Sequence, residues 1–280
     1  MKNHIDNLQD VDLAEVLGMH GYFLEEACIQ AFKGSSRFEI EESRYPVKKI
    51  DGDQTEIDII VCLKNSNKVL VCECKREDII SKKWIFTKSS EMTNGFNRVE
   101  LSKISGNQQV CSLMRKKVEL LPIHETFDTS FCIMPSKSGN RSKSNFVSDS
   151  KPIYDSCSQL ITGYCSLIIE IRSQIEKAPI AKTISFYPIL ITTAKLSSYQ
   201  FDNSKLDIVN GRLNGKIEER ELNWLNYRWY SIINEYGNKL PDTMHGYEPS
   251  FLKKNYKNWD IMIINSAHLS RFLEEFRIYE

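Results

Sequence analysis

The segment EIDIIVCLKNSNKVLVCECKRE, residues 56–77, constrains the fold more than any other part of the chain. It holds two short apolar runs rich in β-branched residues, Ile57–Leu63 and Lys68–Lys75, separated only by Lys64-Asn65-Ser66-Asn67. Runs of this kind are strands, and so short a polar loop joins them as an antiparallel hairpin. Consecutive apolar positions mark both strands as buried.

In an antiparallel pair, facing residues have a constant index sum, and a turn centred near Ser66 sets it at about 131–133. Asp58 then lies opposite residues 73–75. Glu73 and Lys75 are two apart and project from one face. Two carboxylates and an ammonium between apolar flanks are unfavourable unless they bind something. Close carboxylates repel, and a hard divalent cation removes that repulsion. A lysine beside them can stabilise phosphate charge or position a water, which is the chemistry of metal-assisted phosphodiester hydrolysis. An acid–lysine pair at a strand end is ordinarily a solvated salt bridge of little energetic consequence. Here the hairpin alignment, the buried-type strands and a preceding amphipathic helix all agree on a site.

That helix is expected over residues 11–33. Leu13, Leu17, His20, Leu24, Ala27, Cys28 and Ala31 share one face, Asp12 is a candidate cap, and Gly34-Ser35-Ser36 ends it. Arg37–Val47 reads as extended and Asp51-Gly52-Asp53 as a turn. Residues 76–104 read as irregular and polar, 106–119 as a helix, and Ser130–Pro135 as a strand. Residues 136–151 read as a loop, followed by a long helix over 153–177. Strands are expected at Thr183–Ala194 and Trp259–Asn265, with a closing helix over His268–Phe276. Residues 221–236 fit either an aromatic helix or a strand. Gly211 and Gly215 mark a hairpin turn. The order of elements predicts a mixed α/β core with additions.

Asp58, followed after a short hairpin by Glu73-Cys74-Lys75, resembles the PD-(D/E)XK nuclease superfamily over about residues 11–135. The resemblance implies a restriction-endonuclease-like mixed sheet flanked by helices, with a core over 1–195. Residues 196–280 would be a C-terminal elaboration that extends the sheet or forms a small accessory lobe. It also implies a Mg²⁺-dependent endonuclease, with Mn²⁺ as a substitute, acting on DNA in restriction, repair or anti-phage defence. Asp58 and Glu73 would hold the metal with help from the Cys74 backbone carbonyl, and Lys75 would orient the water. The first helix often carries a metal-site glutamate in that superfamily. Here it is Glu25 or Glu26, and Glu25 sits closer to the apolar face. Asp53 is an alternative acid with poorer alignment to Glu73. Gln108 and Gln109 are not followed by the tyrosine of a RecB-type motif; Ser112 and Leu113 stand there instead. A homodimer or a defence-system partner would fit this family. The rival reading on the same fold is a catalytically silent nucleic-acid-binding or scaffold protein.

The charge distribution agrees with a polyanion partner. The chain has 37 basic and 37 acidic residues, so it does not seek polyanions globally. Residues 1–60, however, carry six bases against thirteen acids, and 61–151 carry sixteen against nine. An acidic pocket can thus sit beside a basic face. Lys82, Lys83, Arg115, Lys116, Lys137, Arg141 and Lys143 are the candidates to track a phosphate backbone. Trp224, Tyr227, Arg228, Trp229 and Tyr230 could stack on bases, although such clusters more commonly pack a core.

Other classes find little support. No apolar run approaches a membrane span, and no phosphate-loop or dinucleotide glycine pattern occurs. The five histidines are scattered and the eight cysteines form no CxxC pair. Buried reduced thiols in a cytoplasmic protein are expected, with Cys72 and Cys74 as small fillers on the core side of their strand.

Overall fold

The computed structural model describes residues 21–49, 52–77, 83–89, 94–104, 110–135, 146–177, 182–207, 209–210, 212–230 and 258–279. Helix α1 spans Tyr22–Gly34 and buries Leu24, Cys28, Ile29 and Phe32. It starts at Gly21, whose φ of 79° is open to glycine and whose carbonyl accepts from the Leu24 and Glu25 N–H groups. The earlier part of the expected helix, with Asp12, Leu13, Leu17 and His20, lies outside the described residues.

The meander follows: β1 (Phe38–Lys48), β2 (Gln54–Leu63) and β3 (Lys68–Lys75), paired antiparallel. The turn before β2 closes through the Lys49 N–H to the Asp53 carbonyl, with Gly52 at φ 97°. Then come β4 (Lys83–Thr87), β5 (Phe96–Ile104) and β6 (Val110–Leu121). These are two corrections to the sequence reading. The stretch 76–104 holds two strands, and the helix expected over 106–119 is a strand. Adjacent Leu113 and Met114 suit a helical face, but the chain pairs with β5 from Phe96↔Val118 to Ile104↔Val110. Val118 and Leu120 are accordingly buried, while Lys117 and Glu119 are exposed.

Next are β7 (Thr126–Phe127), β8 (Thr129–Pro135) and β9 (Phe146–Asp149). The expected loop over 136–151 is corrected at its end, where 146–149 pair with β8; 136–145 lie outside the described residues. Helix α2 spans Lys151–Lys177. Beyond it run β10 (Lys182–Thr192), β11 (Lys195–Gln200), β12 (Leu206–Asp207), β13 (Arg212–Leu213), β14 (Glu218–Leu222), β15 (Trp224–Tyr230) and β16 (Asn258–Asn265). The chain closes with α3 (Leu269–Glu275) and β17 (Arg277–Tyr279). The ambiguous aromatic stretch is thus strand over 224–230, and 231–236 lie outside the described residues. The expected hairpin turn falls at the β12–β13 ribbon, where the Asp207 carboxylate accepts from the Val209 and Asn210 N–H groups.

The main sheet has the order β1-β2-β3-β10-β16-β15-β7. Strand β10 is parallel to both β3 and β16, and β15 is antiparallel to β16. Strand β5 continues the edge of β10 antiparallel and carries β6 and β17. A second sheet runs β14-β11-β4-β8-β9. One face of the main sheet packs against α2 and the second sheet through Trp84, Phe86, Leu160, Tyr164 and Leu196. The other packs against α1 and α3 through Cys28, Phe32, Phe272 and Phe276. Strand β10 is covered on both faces, which is why its sequence is apolar almost throughout. The architecture is mixed α/β with a mixed sheet between layers. No helix among the described residues is long and apolar enough to cross a membrane.

Candidate metal and catalytic site

The hairpin register is the starting point. Strands β2 and β3 pair from Cys62↔Val69 to Ile59↔Cys72, each pair summing to 131. The same sum sets Asp58 level with Glu73, just beyond the last ladder pair. Strict alternation would place Ile57 and Ile59 on one face. Instead Ile57 packs in the α2-side core and Ile59 in the α1-side core. Strand β2 therefore changes face at Asp58. The β1 residue between Ser43↔Ile59 and Tyr45↔Ile57 is Arg44, whose φ is 52°. This twist turns the Asp58 carboxylate toward β3, where Oδ2 accepts the Cys74 backbone N–H at 2.6 Å. The sequence reading assigned a role to the Cys74 carbonyl; the amide N–H is the group joined to Asp58.

Asp58 and Glu73 are 8% and 4% exposed, so both carboxylates are largely out of water. Burial, and then the Asp58 charge, push the Glu73 carboxyl up to about 9; the nearby Lys75 ammonium opposes this. Burial pushes Asp58 up to about 7, against the Cys74 N–H bond that favours its anion. The charges of Glu25 and Glu56 raise both groups, and Arg44 lowers Asp58. Among the described residues no basic side chain is ion-paired with either carboxylate. Lys75 is half-buried at the end of the same strand.

The structure thus brings Asp58, Glu73, Lys75 and Glu25 into one electrostatic neighbourhood. Glu26 is farther out, 41% exposed and 3.6 Å from the Arg44 Nη2. Glu25 itself accepts from the Arg44 Nε at 3.0 Å. Asp53 lies at the turn before β2. Arg44 and Glu56 were absent from the sequence reading. Glu56 carried a signal, two residues before Asp58. Arg44 carried none until the β1–β2 register was known.

Two buried carboxyl groups supply hard oxygen donors, the kind that suits a cation such as Mg²⁺. Among the described residues, no three His, Cys, Asp or Glu side chains are gathered closely enough to hold a metal ion. The carboxylate pair therefore offers two donors, and the third candidate, Glu25, is engaged by Arg44. Among the described residues the thiols gather in no metal-binding group: Cys72 and Cys74 are buried on the core side, with Cys74 hydrogen-bonded to Cys28.

The basic candidates are largely committed within the chain. Lys83 is ion-paired with Glu219, and Lys116 with Glu100 at 2.7 Å. Arg115 donates to the Asn258 carbonyl and lies 5.1 Å from the Trp259 ring centroid. Lys82, Lys137, Arg141 and Lys143 lie outside the described residues. Of the aromatic cluster, Tyr227 and Trp229 are buried in the core and Arg228 pairs with Asp260 at 2.7 Å, so packing accounts for most of it. Two surface clefts, of about 490 and 400 Å³, lie around Phe96–Asn226 and Pro122–Trp224; neither includes a member of the acid cluster.

No protein-family model matches the chain, and neither the curated proteins nor the solved structures contain a match to it.

Proposed function

We propose that the chain is a metal-dependent DNA endonuclease on a restriction-endonuclease-like core, as the resemblance of Asp58 and Glu73-Cys74-Lys75 to the PD-(D/E)XK superfamily implies. The observation that carries this reading is the buried pair Asp58 and Glu73, level across one hairpin, with Lys75 two residues on. A helix, an antiparallel meander, a second helix and a strand parallel to β3 support the fold assignment.

In this reading Asp58 and Glu73 would hold Mg²⁺, and Glu25 would join them once released by Arg44. When bound, the cation polarises the phosphodiester and acidifies a water. Lys75 places its ammonium beside the scissile phosphate, orients the attacking water and offsets the charge that grows on the phosphoryl oxygens. The water oxygen bonds to phosphorus as the bond to the leaving sugar oxygen breaks, and a proton ends on that oxygen. Burial keeps competing water from the two carboxylates.

The test is cleavage of plasmid and single-stranded DNA with Mg²⁺, Mn²⁺ or Ca²⁺. Cutting is expected with the first two. Ca²⁺, larger and looser in geometry, should allow binding without cutting. Asp58→Asn should abolish cutting. A second reading, a silent DNA-binding or scaffold protein, draws support from the Arg44 hold on Glu25 and from the two-donor site. It requires that the wild type bind no divalent cation and cut neither substrate.

A further inference from the structure

Arg44 is the one residue of this neighbourhood whose backbone is out of the ordinary. Its φ of 52° lies in the left-handed region, where a long side chain is uncommon. Non-glycine residues in such conformations cluster at sites and switches. The residue stands between the pairs that bracket Asp58, so its position is tied to the point where β2 changes face. From there its guanidinium reaches α1, holding Glu25 at 3.0 Å and Glu26 at 3.6 Å while lying 4.6 Å from the Tyr22 ring centroid. Arg44 is 40% exposed and Glu25 only 15%, so the arginine can swing into solvent while the glutamate stays beside the acid pair.

Resting on the metal-site reading above, we propose that Arg44 is an internal counter-ion that competes with a divalent cation for Glu25. Without the cation, Arg44 offsets the negative charge of Glu25 and Glu26 and holds Glu25 out of the coordination set. When the cation binds Asp58 and Glu73, it replaces that positive charge. Arg44 then lets go, and Glu25 becomes the third ligand. The protein is thus built with a stand-in charge at the edge of its site, and metal affinity is set below what three carboxylates would give.

The experiment is a Mn²⁺ titration by calorimetry on the full chain, comparing the wild type with Arg44→Asn. Asparagine tolerates the left-handed backbone, so this change removes the charge without adding strain. Arg44→Asn should bind Mn²⁺ about fivefold more tightly, the scale set by one lost partly exposed ion pair. The Arg44 Nε–H resonance of the wild type should move toward its solvent-exposed position on adding diamagnetic Mg²⁺. Glu25→Gln should bind more weakly, and adding Arg44→Asn to it should tighten binding less than Arg44→Asn does alone. Arg44→Asn that folds, by circular dichroism, but binds Mn²⁺ equally or more weakly would overturn the competition and leave Arg44 a strap between β1 and α1. Wild type and Arg44→Asn both failing to bind Mn²⁺ would instead overturn the metal-site reading itself, and this inference with it.

Discussion

Two carboxyls dominate the residue scale. Asp58 and Glu73 are held above their unfolded values, to about 7 and about 9. The native state therefore keeps protons that the unfolded chain releases near pH 4. The stability this contributes is complete below that pH and is lost as pH rises through about 7 and then about 9. In EDTA, urea unfolding should show stability falling by several kcal/mol between pH 5 and 9. Asp58→Asn with Glu73→Gln should flatten that fall, and the asparagine side-chain oxygen would still accept the Cys74 N–H. An unchanged slope in the double variant would mean that other groups carry it. Lys75 is tested by rate. It acts where transition-state charge develops, so Lys75→Ala should lower DNA cleavage by roughly 10²-fold. Affinity should barely move, because many phosphate contacts share the binding. Equal cleavage by both proteins would remove Lys75 from the mechanism. The identities of these residues were legible in the hairpin. Arg44 was not, because its role depends on a backbone conformation that no local pattern announces.

At the scale of elements, α2 sets the spacing of the layers. Gly163 lies against β2 so closely that an added Cβ would stand 2.9 Å from Ile57 Cγ1 and 3.9 Å from the Glu56 carbonyl. Alanine gains about 1 kcal/mol of helix propensity over glycine, but overpacking commonly removes about 1–3 kcal/mol. Gly163→Ala should therefore be net destabilising by about 1 kcal/mol, and Gly163→Leu by considerably more, both by urea denaturation. Since Ile57 is the neighbour that must give, Gly163→Ala and Ile57→Ala should be non-additive in a double-mutant cycle. Additivity would show that the helix backs away instead. The far end of α2 is fixed by Lys103, whose ammonium donates to the Ile175 and Glu176 carbonyls, left without partners at a helix C-terminus. Helix α2 was legible from its own periodicity. Strand β6 was not, because the ladder with β5 overrides a sequence that local propensity leaves undecided.

For the whole molecule, the last part of the chain completes the centre of the fold. Strand β16 lies against β10, and Ile261, Met262, Ile263 and Ile264 are fully buried between the layers. Helix α3 covers the α1-side core with Leu269, Phe272 and Leu273. Its end is tied down by Arg37, which donates to the Leu273 and Phe276 carbonyls. Ending the chain after residue 195 would bare one edge of β10 and strip both cores. Such a fragment should give no cooperative urea transition and should aggregate through the exposed strand. A dispersed amide NMR spectrum from it would show that the rest is dispensable.

The sequence by itself determined the elements whose information is local. A 3.6-residue apolar stripe gives α2, two β-branched runs around a four-residue loop give the β2–β3 hairpin, and that register alone places Asp58 level with Glu73. Tertiary structure decided what depends on partners distant in sequence. Strands β4 and β5 exist because β11 and β10 supply their hydrogen bonds, and β6 in turn pairs with β5. The face change at Asp58 lies where β1 runs beside it with Arg44, and the Glu25 charge reaches the acid pair only when α1 is laid across the meander. A hairpin finds its mate within a few residues of chain, so its pattern can be read directly. A parallel neighbour such as β10 lies more than a hundred residues from β3, and only the assembled sheet says which strand it joins.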